Sequence, residues 1–509
     1  MSDKKVIIAC STEYKDYSFN EKLDIWTLIS VIAPILEAKE EDEKRAPIDI
    51  VAVIDKSGSM AGEKLSLVKK TLEFVVSQLN EKDRLCLVTY DTKVYLDFKL
   101  TEMTKDNKNW ILTIIKNISD GSSTNLCGGL MKGLCQIICR DPNKKNEVAS
   151  VLLFTDGLAN EGITHSKGII AAMKDPKTFD GPTSEPLNSS QLQEPHHTWL
   201  KNIFGSSKKE EKLRATESTF ANNEPKTADA SVYTFGFGSD HNAQMLKDIS
   251  DAGNGMYYYI ENADKISEAF GHCLGGLLST VAQGIQLEVT MGNKVLIKEV
   301  HTNRPIDKQE HSVKINMGDL QSEESRDVVL ELSIDSLDSP TDCQTLFNVK
   351  LNYFNVINDC LESSNAVLTV LRPIKSENHD VANSNAEVNK QRSRVNLSKA
   401  MKVAYEKAEN GDLEYASRVL NEEMASLKTY SAAVNNPKDE MYYIGLIDDT
   451  AKFQTNVSSK SQWNAKGKNA NLNIVQQHEC QRSSNLESVS YLTAAKCSKR
   501  VSAKKFVSK

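Results

Sequence analysis

The sequence lacks the features that would place the chain in a membrane or in an oxidising compartment. No stretch approaches the roughly 20 consecutive apolar residues that a membrane-spanning helix needs. The apolar run that follows the amino-terminal Met-Ser-Asp-Lys-Lys is too short for a secretory signal. The ten cysteines are scattered and form no Cys-x-x-Cys pair. We therefore expect a cytoplasmic protein without a membrane span.

Blocks of basic residues are also scarce. The net charge is −7, and the Lys-rich segments 208–212 and 499–509 are interpreted as solvated loops or tails. No nucleic-acid partner is predicted, because such partners need a basic face. The 509 residues, 39% of them hydrophobic, are enough for two to four domains.

The middle of the chain alternates between apolar strands and helices. Strands without polar alternation are predicted at Ile48–Asp55, Val148–Phe154 and Ser231–Phe237, and each is followed by a helix. This alternation predicts an α/β domain over residues 47–280 with a doubly wound, mostly parallel sheet. The polar, aperiodic segment 175–228 inside it is predicted to be a disordered insert.

The remainder of the chain follows other periodicities. Residues 281–373 alternate with a period of two, which predicts an antiparallel β-sandwich. The amino-terminal segment 1–46 holds one strand, Ile25–Leu36, that has no helix of its own and is expected to complete this sandwich, so that the α/β domain is an insertion. Residues 374–454 are predicted to be a linker and a C-terminal helical hairpin. Residues 455–509 are polar and aperiodic, and a mostly disordered tail is predicted there.

Oxygen-bearing side chains cluster where the first apolar strand ends. Asp55, Ser57 and Ser59 are spaced two residues apart at the end of this strand. Ligands of open α/β sheets bind outside the carboxyl ends of the strands, and carboxylate and hydroxyl oxygens suit Mg²⁺, Mn²⁺ or Ca²⁺. Thr124, in a loop between two predicted helices, and Asp156, after the second apolar strand, extend this set of donors.

In this order and on these elements, the five residues resemble the metal-ion-dependent adhesion site of von Willebrand factor type A (VWA) domains. The resemblance implies a Rossmann-like fold and a cation whose open coordination position accepts an acidic side chain of a protein partner. It also implies that Ser57, Ser59 and Thr124 bind the cation directly or through water. Asp55 and Asp156 would then hold hydroxyls and waters in place.

The resemblance covers about residues 47–280. The longer layout is similar to intracellular members of the superfamily, including inter-alpha-trypsin inhibitor-like proteins and plant zinc-finger ubiquitin ligases. The sequence contains no Cys-rich zinc finger of the kind those ligases carry, so ligase activity is not carried over and no enzymatic activity is predicted.

Three functions remain open from the sequence. The first is a divalent-cation-dependent protein-binding module. The second is a scaffold that binds through the insert, the hairpin or the tail and has a non-essential metal site. The third is a metal-assisted hydrolase, for which the sequence offers no evident general base. A nucleotide site is not predicted, because the sequence has no Gly-x-x-x-x-Gly-Lys-Ser/Thr loop.

Overall fold

A computed structural model describes most of the chain. The described residues are 4–36, 45–156, 159–178, 183–184, 230–376, 379, 383–434, 436–484, 488 and 490–507. The insert predicted over 175–228 lies outside this set except for residues 175–178 and 183–184.

The described elements follow one another along the chain as strands, then alternating strands and helices, then strands, then helices. Their bounds are β1 (Ile7–Thr12), β2 (Leu23–Ile32), β3 (Ile48–Asp55), α1 (Glu63–Gln78), β4 (Arg84–Tyr90), β5 (Val94–Glu102), α2 (Lys105–Lys116), α3 (Leu126–Ile138), β6 (Val148–Thr155), α4 (Ser166–Lys174), β7 (Thr183–Ser184), β8 (Ser231–Phe237), α5 (Ala243–Ala252), β9 (Tyr257–Ile260), α6 (Ile266–Leu278), β10 (Thr280–Met291), β11 (Val295–His301), β12 (Ile306–Lys308), β13 (Ser312–Gln321), β14 (Ser325–Ile334), β15 (Thr341–Asn355), β16 (Cys360–Arg372), α7 (Ala386–Glu409), α8 (Leu413–Ala433), α9 (Pro437–Asn456), α10 (Lys468–Cys480) and α11 (Ala494–Val507).

A seven-stranded sheet forms the centre of the α/β domain. Its strand order is β7-β5-β4-β3-β6-β8-β9, and every pairing is parallel except that of β4 with β5. Every residue of β3 is buried, because helices pack on both faces of the sheet. A strand covered on both faces needs no polar alternation. The predicted doubly wound, mostly parallel sheet is confirmed.

Two antiparallel sheets form the sandwich. One has the order β1-β2-β14-β11 and the other β12-β13-β10-β15-β16, and their inner faces share one apolar core. Strand β2, which covers most of the predicted strand Ile25–Leu36, pairs with β14 so that Thr27 lies opposite Leu330. The chain thus enters the sandwich, builds the α/β domain and returns to the sandwich at β10.

The prediction of a mostly disordered tail over 455–509 is wrong for the described residues. Eleven of the thirteen residues of helix α10 are buried, although the helix is rich in Asn and Gln. Its amides bond to the α/β domain: Asn473 Nδ2 donates to the Tyr257 carbonyl at 2.6 Å, and Gln476 Nε2 donates to Ser250 Oγ at 3.0 Å. Buried polar groups are stable when they are hydrogen-bonded in this way. Because the buried residues of this helix include many amides, the sequence has no apolar periodicity that would predict its burial.

The last helix, α11, packs backbone to backbone against α6. A Cβ atom added at Gly271 would lie 2.5 Å from the Lys499 carbonyl oxygen, and one at Gly275 would lie 2.5 Å from that of Ala495. Only glycine permits this approach. The Lys-rich segment 499–509, expected to be solvated, belongs to this docked helix as far as residue 507.

A buried charge cluster joins the tail to the sandwich. The Glu324 carboxylate lies 2.8 Å from Arg482 Nη2, 3.1 Å from Arg326 Nη2 and 3.2 Å from Lys496 Nζ. Burial alone would raise the pKa of Glu324, but the three cations hold it well below its usual range. Burial lowers the pKa of Lys496 to about 8 against the attraction of Glu324. The carboxylate is therefore ionised and fully paired at neutral pH.

Candidate metal centre

Asp55 is the last residue of the central strand β3 and is buried. Its Oδ1 accepts the Ser57 backbone N–H at 2.8 Å, and its Oδ2 accepts the Thr155 hydroxyl at 2.6 Å. Burial raises the pKa of Asp55 to about 6, although both of these hydrogen bonds oppose the shift. The ionised form is thus costly at this position unless a cation approaches it.

The two serines connect Asp55 to Asp156, which directly follows the neighbouring strand β6. Ser57 Oγ lies 3.1 Å from Ser59 Oγ, and Ser59 Oγ donates to Asp156 Oδ1 at 2.8 Å. The tight turn Gly58–Met60 sets this spacing. Because β3 and β6 are adjacent and parallel, the residues that follow them meet at one edge of the sheet. Four of the five predicted ligands therefore belong to one hydrogen-bonded network.

Thr124 is positioned by its loop. The Gly121 N–H donates to the Lys56 carbonyl at 2.6 Å, and the Gly58 N–H donates to the Ser122 carbonyl at 3.0 Å, so this loop lies against the Asp55–Ser59 turn. Thr124 is buried, and its backbone N–H donates to Asn160 Oδ1 at 2.8 Å. Within the described residues, no hydrogen bond joins its hydroxyl to the other four predicted ligands.

The chemistry and spacing of these donors fit a hard divalent cation. Octahedral Mg²⁺ has oxygen ligands at about 2.0–2.1 Å, so that neighbouring ligand oxygens lie about 2.9 Å apart. The separations of 3.1 Å between the two serine hydroxyls and 2.8 Å between Ser59 and Asp156 lie close to this value. Two carboxylates and three hydroxyls form a set of oxygen donors alone, which suits Mg²⁺, Mn²⁺ or Ca²⁺.

Sequence reasoning missed a basic side chain at this site. Lys64, in the first turn of α1, contacts Asp156 Oδ2 with its ammonium group, which also lies 3.4 Å from the Ser59 carbonyl oxygen. The sequence places Lys64 in the first helical turn after Ser59, and this proximity is the signal from which its contact with the site could be predicted. Lys56, which precedes Ser57, is engaged elsewhere, 3.6 Å from Asp91 and 4.0 Å from the ring centre of Tyr95.

The histidine that follows β8 is not available as a general base. His241 Nδ1 lies 2.9 Å from the Gly238 carbonyl oxygen, and Nε2 lies 2.6 Å from the Tyr257 hydroxyl. Burial lowers the pKa of His241 to about 4. Both ring nitrogens are therefore in use within the fold, so this histidine does not support the hydrolase hypothesis.

Comparison with known sequences identifies the central domain. The family model of the von Willebrand factor type A domain matches residues 49–272. The chain is 25% identical over 302 residues to the E3 ubiquitin-protein ligase WAV3 of Arabidopsis thaliana, a match that covers 58% of this chain and 32% of WAV3. It is 34% identical over 126 residues to the mouse inter-alpha-trypsin inhibitor heavy chain H3, covering 23% of this chain and 14% of the relative. The matches thus span less than half of each relative.

Solved structures share the whole architecture. A von Willebrand factor type A protein from Catenulispora acidiphila superposes with a TM-score of 0.63 at 12% identity, covering 97% of this chain and 99% of that one. The ArnB paralog VWA2 from Sulfolobus acidocaldarius superposes with a TM-score of 0.53 at 14% identity, covering 93% and 98%. None of the described helices has the length and apolar content needed to cross a bilayer. Sequence and fold together show that this chain contains a von Willebrand factor type A domain, over residues 49–272.

Proposed function

We propose that this protein is a divalent-cation-dependent protein-binding module. Asp55, Ser57, Ser59, Thr124 and Asp156 would hold the cation, and an acidic side chain of a protein partner would complete its coordination. The observation that supports this proposal is the hydrogen-bonded network of Asp55, both serines and Asp156 at the edge of the sheet. VWA domains are in general metal-dependent protein-interaction modules.

The donor set favours an exchangeable ligand position. Three of the five donors are neutral hydroxyls, so much of the charge of a divalent ion is left to attract a further carboxylate. Ser59 is exposed, whereas Asp55 and Ser57 are buried. A partner would therefore approach from the Ser59 side. Mg²⁺ is the proposed ion. Mn²⁺ and Ca²⁺ are alternatives, because they also prefer oxygen donors.

The proposed module acts in the cytoplasm. All ten cysteines are free thiols. Four of them, Cys86, Cys127, Cys135 and Cys273, are buried or half-buried in the α/β domain, and Cys480 of the tail is buried against it. Free thiols are typical of a reducing compartment.

Affinity capture from a lysate tests this function. The wild-type chain should retain one or more proteins in Mg²⁺ and release them when a chelator is added, and Ser57→Ala should not retain them. Ser66→Ala is the matched control, since Ser66 is exposed on α1 and should behave as wild type. Capture that is insensitive both to chelator and to Ser57→Ala would contradict the proposal and favour the scaffold alternative.

Lys64 should weaken cation binding because it competes for the same carboxylate. Lys64→Met removes this competing charge, and we expect the dissociation constant for Mg²⁺ to fall by about tenfold, a modest change because the ammonium group is partly solvated. Calorimetric titration of Mg²⁺ measures the change. Lys70→Met, on the exposed face of the same helix, is the control. Unchanged or weaker binding in Lys64→Met would show that Lys64 does not compete with the cation.

A further inference from the structure

A second group of potential metal ligands lies on the sandwich, apart from the VWA domain. Glu299 and His301 are two residues apart on β11 and thus share one face of the sheet. Glu331, on β14, is directly opposite Glu299. Two like charges directly opposite each other destabilise a sheet. Lys399, 3.0 Å from Glu299, compensates this pair from the solvent side.

The imidazole of His301 lies between the two carboxylates. Its Nε2 is 3.1 Å from Glu331 Oε1, and its Nδ1 is 3.2 Å from Glu299 Oε1. The residue is only 7% exposed, and its ring stacks on Trp26 with a centroid distance of 5.0 Å and an interplanar angle of 10°. Nδ1 is buried and makes no hydrogen bond despite its distance to Glu299.

A neutral imidazole cannot satisfy both neighbours. It carries one N–H, and when this group donates to Glu331, the lone pair of Nδ1 faces the Glu299 carboxylate. A proton or a metal ion between Nδ1 and Glu299 would remove this repulsion. A metal ion binds the lone pair of a neutral imidazole nitrogen.

We propose that Glu299 and His301 bind a borderline divalent transition metal such as Zn²⁺, and that Glu331 orients the imidazole. The potential ligand atoms of the three residues lie within 4.8 Å of one another. A tetrahedral Zn²⁺ with ligands at about 2.0–2.1 Å separates neighbouring ligand atoms by about 3.3–3.4 Å. The separation of 3.2 Å between Nδ1 and Glu299 Oε1 lies close to this value.

Glu331 supplies the supporting contact that metal-bound histidines usually have. A carboxylate that accepts the second N–H of the imidazole fixes the tautomer and directs the other nitrogen at the metal. The imidazole distinguishes this site from the oxygen-only site of the VWA domain, since nitrogen donors favour Zn²⁺ over Mg²⁺. With two protein ligands, the remaining positions are open to water or to a partner.

The ion pair at the entrance does not prevent binding. Lys399 Nζ lies 3.0 Å from Glu299 Oε1, and both side chains are about half exposed. Solvent screens such a pair, which typically contributes little. A divalent ion that also gains the imidazole nitrogen would displace the ammonium group.

Calorimetric titration of ZnCl₂ in excess Mg²⁺ tests the proposal. The titration uses the full chain with Ser57→Ala, so that its outcome does not depend on the VWA site. We expect one Zn²⁺ site, weakened at least tenfold in Glu299→Gln and lost in His301→Phe, which keeps an aromatic ring on Trp26. Glu299→Gln changes an exposed residue and keeps the test informative if His301→Phe unfolds.

His311→Ala is the matched control, because His311 is an exposed histidine of the same sandwich, 3.9 Å from Glu310. The His311→Ala variant should bind Zn²⁺ as tightly as the Ser57→Ala chain in which it is made. Absence of Zn²⁺ binding in the parent would overturn the proposal. Binding that persists unchanged in Glu299→Gln and His301→Phe, for example at the exposed thiols of Cys343 and Cys360, would overturn it equally.

Discussion

Glu324→Gln should destabilise the protein by about 3–5 kcal/mol, the usual loss when one partner of a buried ion pair is removed. Among the described residues, Glu324 has the only carboxylate that forms an ion pair with Arg326, Arg482 and Lys496. Glutamine has nearly the same shape but no charge, so the buried Arg326, Arg482 and Lys496 would lose their counter-charge. The cluster joins the start of β14 to Arg482, which follows α10, and to Lys496 in the first turn of α11, so its loss should weaken the docking of the tail.

Urea unfolding followed by circular dichroism measures this loss. Glu310→Gln is the control, because Glu310 is exposed and its change should stay within about 0.5 kcal/mol. The pH dependence gives a second readout: the pKa of Glu324 is lowered in the folded state, so its contribution is full above about pH 4.3 and declines below it. A loss as small as that of the control would contradict the assigned role.

Removing the tail should unfold the protein. A chain that ends at Val457 lacks four large buried apolar side chains, and each contributes about 1.5–3 kcal/mol when fully buried. They are Trp463, Leu472, Ile474 and Val475. Their combined loss is of the order of the entire stability of a domain, about 5–15 kcal/mol. The shortened chain should therefore show no cooperative thermal transition.

A chain that ends at Ser484 provides an intermediate truncation for comparison. It keeps α10 and the contact of Arg482 with Glu324 but lacks α11, so α6 loses the helix that packs on its glycines. We expect a cooperative transition at a lower temperature than in the full chain. If the chain that ends at Val457 melts like the full-length protein, the tail is dispensable for folding, as expected of a disordered segment.

The sequence predicted the central domain because its signals are local. Fully apolar strands such as β3 indicate burial on both faces, and the polar residues that follow β3 and β6 must meet when those strands are parallel neighbours. The sequence alone therefore predicts a metal site from the order of five residues, Asp55, Ser57, Ser59, Thr124 and Asp156. The structure joins four of these residues in one network, and their use as metal ligands stays a prediction.

The features that the sequence did not predict depend on contacts between distant segments. Helix α10 is held by amide hydrogen bonds, such as that of Asn473 to Tyr257, 216 residues away, and amides give no hydrophobic pattern. Lys64 and Asp156 are 92 residues apart, so their pairing follows from the fold alone. The position of the imidazole between two glutamates likewise depends on how strands β11 and β14 pair, which the sequence does not show.

Calorimetric titration of Mg²⁺ into the full chain and its Asp55→Ala variant tests most directly whether the VWA domain holds a cation at the proposed site. We expect one bound ion per wild-type chain, unchanged binding in Ser66→Ala, and no measurable binding in Asp55→Ala. Asp55→Ala leaves the Ser57 N–H and the Thr155 hydroxyl without their acceptor, so the thermal transition of the variant is measured beside the titration to establish that it is folded. Equal Mg²⁺ binding in wild type and a folded Asp55→Ala, or no binding in wild type, would contradict the account.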